Sequence, residues 1–247
     1  MADELDVAVV RFPTISNFTD LDPLMIEPGV RVRFVHDRAG LGDPDLIVLP
    51  GTKATVADLG WLRSRGLAAA ITAGSAPVLA ICGGYQMLGR TIDDGVESGA
   101  GQVDGLDVLP VDTCFEARKV TLLRAGSAGE NRVRGYQIHH GRVRVRGGDP
   151  FVVLDDEHGA GVDGVQVGRW FGTTLHGLLE DDGFRRYFLA RVARERGKVF
   201  VSAGPSFAAA REQALDAVAD ALAEHLDLVA IEALIAEAAV APAGARP

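Results

Sequence analysis

A short apolar run, Pro77-Val78-Leu79-Ala80-Ile81, ends on Cys82, and Gly83-Gly84 follow before the helix-like segment Tyr85-Gln86-Met87-Leu88. That order places a thiol on a sharp turn between a buried strand and a helix. Such a turn exposes the side chain and leaves backbone N–H groups beside it. A helix N-terminus also favours the thiolate, the nucleophilic form of cysteine. Cys82 is therefore set for covalent chemistry, given a base. Histidine is the usual base for a thiol, and the chain has six: His36, His139, His140, His158, His176 and His225. His176 closes the compact segment Phe171-Gly172-Thr173-Thr174-Leu175-His176-Gly177, where it reads either as that base or as a loop histidine bonded to backbone. His139 and His140 stand in Gly135-Tyr136-Gln137-Ile138-His139-His140-Gly141, placed to orient a substrate or to bond backbone. His36 and His158 lie in polar surroundings without a motif, and His225 falls on a solvated helix face.

The elements that must hold these groups follow from hydrophobic periodicity. Leu5–Val10, Val30–Val35, Asp45–Leu49 and Val78–Ile81 read as strands. Residues 55–73 read as one helix, with Val56, Leu59, Leu62, Leu67 and Ile71 sharing a side. Strands alternating with helices predict βαβ units and a mainly parallel sheet, whose sites collect at the carboxyl ends of strands. Pro50-Gly51-Thr52 and Cys82-Gly83-Gly84 both fall at such ends. From about Gly101 to Gly172 short valine-rich runs separated by glycine predict antiparallel strands: 108–111, 119–123, 142–145, 151–154 and 165–170. Helices are expected over 182–196, 208–226 and 229–239. The organisation expected is one α/β domain over 1–205, a C-terminal helical extension over 206–240 and a flexible tail over 241–247.

Composition narrows the partners. A chain of 247 residues that is 47% hydrophobic can bury a sizeable core. A net charge of -9 argues against nucleic acid and anionic membranes. There is no apolar run long enough for a transmembrane helix, and the acidic start Met1-Ala2-Asp3-Glu4 lacks signal-peptide character. Two cysteines make no disulfide framework and have no zinc spacing with the histidines, so no metal is expected and a cytoplasmic chain with reduced thiols is. Cys114 matches no motif and is expected in the core. Two phosphate-loop look-alikes are set aside. Gly159-Ala160-Gly161-Val162-Asp163-Gly164 precedes a strand-like run rather than a helix, and Gly51-Thr52-Lys53 lacks the earlier glycine of a P-loop.

At the elbow, Ala80-Ile81-Cys82-Gly83-Gly84-Tyr85-Gln86 resembles that of class I (triad) glutamine amidotransferases. Within that class, five blocks are similar to the glutaminase domain of cobyric acid synthase. They are Arg11–Asp20, Leu49-Pro50-Gly51-Thr52-Lys53 with Asp58-Leu59, the elbow, Gly135–Gly141 and Gly172–Gly177. The resemblance covers nearly the whole chain, and Arg11–Asp20 with the tyrosine-histidine block is its most specific part. It implies a flavodoxin-like, mainly parallel sheet flanked by helices, with added antiparallel strands and C-terminal helices. It implies Cys82 as nucleophile and His176 as proton donor to the leaving ammonia. Gly51 and Gly83 match the oxyanion positions, Gln86 a substrate-holding position, and Tyr136 and His139 are candidates for orienting the substrate.

Many class I enzymes carry a glutamate two residues after the histidine. Here that residue is Leu178, and Glu180 comes two positions too late. The cobyric acid synthase group also lacks it, so a Cys-His dyad is implied and the group orienting His176 is left open. The family's ATP-dependent synthetase domain has no counterpart in this sequence. Glutamine and a synthetase domain or subunit are therefore the implied partners. No cofactor is expected in this chain, while ATP and magnesium belong to the synthetase. The implied acceptor is adenosylcobyrinic acid a,c-diamide, in cobalamin biosynthesis. The alternative implied by the elbow and the Leu-His-Gly block is a stand-alone glutaminase subunit of a lipid II amidating complex.

Overall fold

The computed structural model describes residues 2–155, 161–202 and 204–240. The chain divides into two compact units, residues 1–204 and 205–247. In the first unit eleven strands are described: β1 (Leu5–Val10), β2 (Val30–Val35), β3 (Leu46–Leu49), β4 (Val78–Ile81), β5 (Thr91–Asp94), β6 (Gly101–Asp104), β7 (Val111–Ala128), β8 (Asn131–Val145), β9 (Asp149–Leu154), β10 (Asp163–Val167) and β11 (Trp170–Thr173). They form one sheet in the order β2-β1-β3-β4-β11-β10-β9-β7-β5-β6, with β8 paired to β7. The β2-β1-β3-β4-β11 half is parallel throughout. The β11-β10-β9-β7 stretch and the β7-β8 hairpin are antiparallel.

The central strands β1, β3 and β4 are buried on both faces, as βαβ crossovers require. Along β1, Leu5, Val7 and Val9 enter one core cluster while Ala8 and Val10 enter the other. Leu59, Leu62, Leu67 and Ile71 cover the Ala8 face. The helix Asp182–Glu195 covers the opposite face with Phe184, Phe188, Leu189 and Val192. Arg185, on that helix, is fully buried. Its Nε donates to Glu27 Oε2 at 2.8 Å and an Nη to the Leu179 carbonyl at 2.8 Å. Removing one partner of such a buried pair costs about 3–5 kcal/mol, because the other charge is left uncompensated. The pair thus fastens the turn that follows His176.

The structure corrects four expectations. Residues 55–73 form two helices, Thr55–Ser64 and Leu67–Ala73, because Gly66 between them takes a left-handed φ of 70°. Residues 165–170 belong to two strands of a hairpin rather than to one, since β10 ends at Val167 and β11 begins at Trp170. Val167 pairs with Trp170 across two residues, the first being Gly168 with φ 55°. Residues 108–110 are irregular, and β7 begins only at Val111. Cys114 is exposed, because β7 alternates Val111, Thr113 and Phe115 inward and Cys114 and Glu116 outward. The strand over Asp163–Val167 agrees with setting aside the glycine-rich match before it, of which Gly159 and Ala160 lie outside the described residues.

The second unit holds two helices, Phe207–His225 and Leu228–Val240. Ser206 caps the first by accepting from Ala209 N, and Asp227 accepts from Ala230 N at the start of the next. The expected tail over 241–247 lies outside the described residues. Among the described residues no helix is long and apolar enough to cross a membrane.

Candidate active site

Cys82 sits where β4 meets the helix Gly83–Leu88, with φ 52° and ψ −110°. That region is sparsely populated for a residue with a Cβ and costs about 1–3 kcal/mol. Two hydrogen bonds hold it there: Cys82 N donates to Thr173 O at 2.8 Å, and Gln86 N to Cys82 O at 3.0 Å. The glycines that follow are required by packing. A Cβ on Gly84 would stand 2.2 Å from the Leu49 carbonyl oxygen, and one on Gly83 2.5 Å from Thr52 Cγ2. The elbow is therefore pressed against the loop after β3, which carries Gly51.

That loop is fixed from two sides. Ser16 N donates to Gly51 O at 2.9 Å and Lys53 N to Thr14 O at 3.0 Å. Buried Asp58 accepts from Thr14 Oγ1 at 2.8 Å and from Thr52 Oγ1. The segment before the turn Phe18–Leu21 thus ties the glycine loop to the rest of the site.

His176 is fully buried, and its backbone bridges to Tyr136 in both directions: Tyr136 N to His176 O at 3.0 Å, His176 N to Tyr136 O at 2.8 Å. The two rings stack with centroids 5.2 Å apart. Gly135 makes this bridge possible, since a Cβ there would stand 2.0 Å from the His176 carbonyl oxygen. Gly135→Ala is therefore expected to cost about 2 kcal/mol in urea denaturation through overpacking. The same variant should slow the chemistry about a hundredfold, the usual effect of moving a reacting group by about 1 Å. Just before His176, buried Asp163 accepts from the hydroxyls of Thr173 and Thr174 and from Thr174 N at 3.0 Å.

The group that orients His176 is Asp20. Nδ1–H donates to Asp20 Oδ2 at 2.7 Å, and Gly177 N donates to Asp20 Oδ1 at 2.8 Å. Asp20 is 3% exposed, so this contact is made away from water. Leu178, two residues after His176, packs in the core. Burial alone pushes the His176 ring toward the neutral form. Hydrogen bonds to Asp20 and to Cys82 outweigh it and raise the pKa to about 10. The Asn17 amide nitrogen lies 3.0 Å from Nε2 and 3.4 Å from Nδ1, close enough to both to rest against the ring.

A cavity of about 350 Å³ opens on Cys82, with Gln86, Asn17, Glu97, Lys119 and His139 among its walls. Gln86 is buried and its Oε1 accepts from Thr55 Oγ1 at 3.1 Å. His139 donates from Nδ1 to Gly141 O at 2.7 Å, and its Nε2 is buried without a hydrogen-bond partner among the described residues. Burial lowers the His139 pKa, so the ring is neutral and Nε2 is an acceptor. Cys82, His176, Gly51, Gly83, Gln86, Tyr136 and His139 are thus brought to one place. His36 pairs with Asp37 on the surface, and His225 ends a helix of the second unit. Asp20 and Asn17 were missed as individual residues. Their only signal was membership of the Arg11–Asp20 block, because Asp20 and His176 are 156 positions apart.

The model of the CobB/CobQ-like glutamine amidotransferase domain matches residues 6–184. Cobyric acid synthase of Frankia casuarinae is 50% identical over 244 residues, covering 97% of this chain and 45% of that protein. The Streptomyces coelicolor protein of the same name is 51% identical over 237 residues, covering 94% of this chain and 45% of that protein. The chain therefore spans just under half the length of these curated relatives. A solved glutamine amidotransferase superposes with a TM-score of 0.60 at 17% identity, covering 75% of this chain and 97% of that one. PurLQS from Thermotoga maritima superposes at 0.54 and 18% identity, covering 76% and 97%. Those two likenesses speak for the class I fold alone. With the domain model matching most of the chain and relatives at half identity, this chain belongs to the CobB/CobQ-like glutamine amidotransferase family.

Proposed function

We propose that this chain is the glutamine-hydrolysing half of a cobyric acid synthase. The observation that carries the reading is Cys82 at the wall of the cavity with His176 buried behind it and held by Asp20. In this reading the Cys82 thiolate adds to the side-chain amide carbon of glutamine. The C=O electron pair moves onto oxygen, where backbone N–H groups of Gly51 and Gly83 receive it. Losing one such donor typically costs about 3 kcal/mol in the transition state. His176 Nε2–H passes its proton to the amide nitrogen, the C–N bond breaks, and ammonia leaves. Water then gives a proton to Nε2 and attacks the thioester, releasing glutamate and restoring the thiolate.

Asp20 acts through His176: it fixes the Nδ1–H tautomer and stabilises the imidazolium, so the implied dyad becomes a triad with its carboxylate drawn from the other end of the chain. Tyr136 holds the ring flat by stacking. Gln86 and the acceptor Nε2 of His139 orient the substrate. The ammonia goes to an ATP- and magnesium-dependent synthetase part outside this chain, for amidation of adenosylcobyrinic acid a,c-diamide. A cytoplasmic setting fits a nucleophile that must stay reduced, as Cys82 is. The relatives reported above carry the cobyric acid synthase name, and nothing in the site favours a peptidoglycan acceptor.

The test supplies glutamine labelled with heavy nitrogen in its amide, ATP, the corrinoid acid and the synthetase portion of a curated relative. Label in the corrinoid amide is the expected result. Absence of ammonia release from glutamine, with and without the synthetase, would overturn the reading.

A further inference from the structure

Asp163 is a buried carboxylate that the chemistry above does not use. It opens β10, which runs antiparallel to β11 with Val165 opposite Gly172. Continuing that register by two residues sets Asp163 opposite Thr174. Gly164 allows the close approach: its φ is 76°, and a Cβ there would stand 2.0 Å from the Gly172 carbonyl oxygen.

Both carboxylate oxygens are used. Oδ2 accepts from the Thr173 hydroxyl and from Thr174 N at 3.0 Å. Oδ1 accepts from the Thr174 hydroxyl and from Gln137 Nε2 at 3.2 Å. Arg124 turns Gln137 the right way round, because its Nε donates to Gln137 Oε1 at 2.9 Å. The Gln137 amide nitrogen is thereby left for Asp163 and for Thr174 Oγ1, 2.7 Å away. Every one of these donors to Asp163 is a neutral group. The carboxylate thus gathers four donors at one point, which an acceptor-only side chain can do.

Those four contacts lead to three parts of the catalytic machinery. Thr173 O accepts from Cys82 N at 2.8 Å and so holds the strained elbow. Thr174 lies two residues before His176. Gln137 follows Tyr136, whose backbone bridges to His176 and whose ring stacks on it. Resting on the glutaminase reading, we propose that Asp163 is a positioning residue: by binding Thr173, Thr174 and Gln137 at once, it fixes the distance between Cys82 and His176. Asp163 is not among the walls of the cavity that opens on Cys82, so it acts through the residues it binds.

The experiment measures ammonia release from glutamine by the 247-residue chain across pH, with the synthetase portion of a curated relative present. In Asp163→Asn one oxygen becomes an amide nitrogen, so an N–H of Thr174 or of Gln137 is left facing a donor. The kcat should fall about a hundredfold, as for a reacting group moved by about 1 Å, while KM stays within about twofold. The pH profile separates positioning from a loss of folded protein. His176 keeps its raised pKa through bonds to Asp20 and Cys82. Asp20, Asn17 and Tyr136 still face the ring in the variant. Lengthening the Cys82 contact alone should therefore lower the alkaline limb part of the way toward the ordinary histidine range. A variant that is merely less stable keeps its limb and loses amplitude. Thr174→Val and Thr174→Ser decide the matter if Asp163→Asn does not fold. Valine removes the hydroxyl that joins Asp163 to Gln137 and should lower kcat about tenfold, the worth of one hydrogen bond to a charged group. Serine restores that hydroxyl and should recover the wild-type rate and limb. A wild-type alkaline limb in Asp163→Asn, or equal rates in Thr174→Val and Thr174→Ser, would overturn the positioning role and leave the glutaminase reading intact. No ammonia from the wild-type chain would overturn both.

Discussion

Cys82→Ala is expected to lower ammonia release from glutamine by about 10⁴-fold or more, as removal of a covalent nucleophile does. The reason is that no second group in the cavity can take over the covalent step. The second thiol, Cys114, is exposed on β7 and is not among the cavity's walls. The fold should survive, because the backbone at this position is held by its neighbours and not by the sulfur. Cys82 N and O are bonded to Thr173 and Gln86, and Gly83 and Gly84 are packed against Thr52 and Leu49. Retained turnover in this variant would sink the assignment of the nucleophile.

The same position separates strain from chemistry. Alanine keeps a Cβ at φ 52° and so keeps the strain. Glycine removes the Cβ and should unfold at a higher urea concentration than alanine, by about 1 kcal/mol in stability. Both variants should be inactive. An equal stability for the two would mean that the elbow stores no strain at Cys82.

How much of this was legible in the sequence depends on how far apart the cooperating residues lie. β1, β2 and β4 have the bounds that their valine-rich runs predicted, because a run bounded by turn residues is local information. Cys82 was legible for the same reason, since strand, thiol and two glycines are contiguous. Gly66 and Gly168 were harder: a glycine can continue a pattern or break it, and the left-handed φ that breaks it is set by what the next element must pack against. Cys114 was misplaced because burial follows register. A one-residue step along β7 exchanges core for solvent, and the phase of a strand with an irregular start was not fixed by composition. Asp20 was the hardest. Nothing near it reads as catalytic, and only the parallel pairing of β1, β3, β4 and β11, whose carboxyl ends share one edge of the sheet, brings the turn Phe18–Leu21 against Gly177.

Asp20→Asn is therefore the variant on which the triad rests, and its expected effect is a fall in kcat of about a thousandfold with a smaller change in KM. Asparagine keeps an oxygen for Gly177 N, so the chain should fold. What it loses is the negative charge beside Nδ1. With Asp20 in place the His176 pKa is raised to about 10, so the imidazolium is present below that pH and is lost as pH rises through it. The sign follows from the raised value: stabilisation of the charged ring is complete at neutral pH and disappears only on the alkaline side. Without Asp20, burial, which is the largest single influence and favours the neutral ring, is opposed only by Cys82. The imidazolium should then be lost at lower pH, and the proton for the departing ammonia goes with it. The alkaline limb of the kcat profile should move down from about 10 in wild type toward the ordinary histidine range in Asp20→Asn. Asp20→Glu, which restores the charge on a longer arm, should recover the position of that limb more fully than the rate. A variant that lost activity for structural reasons alone would keep its alkaline limb where wild type has it, and that result would remove Asp20 from the mechanism.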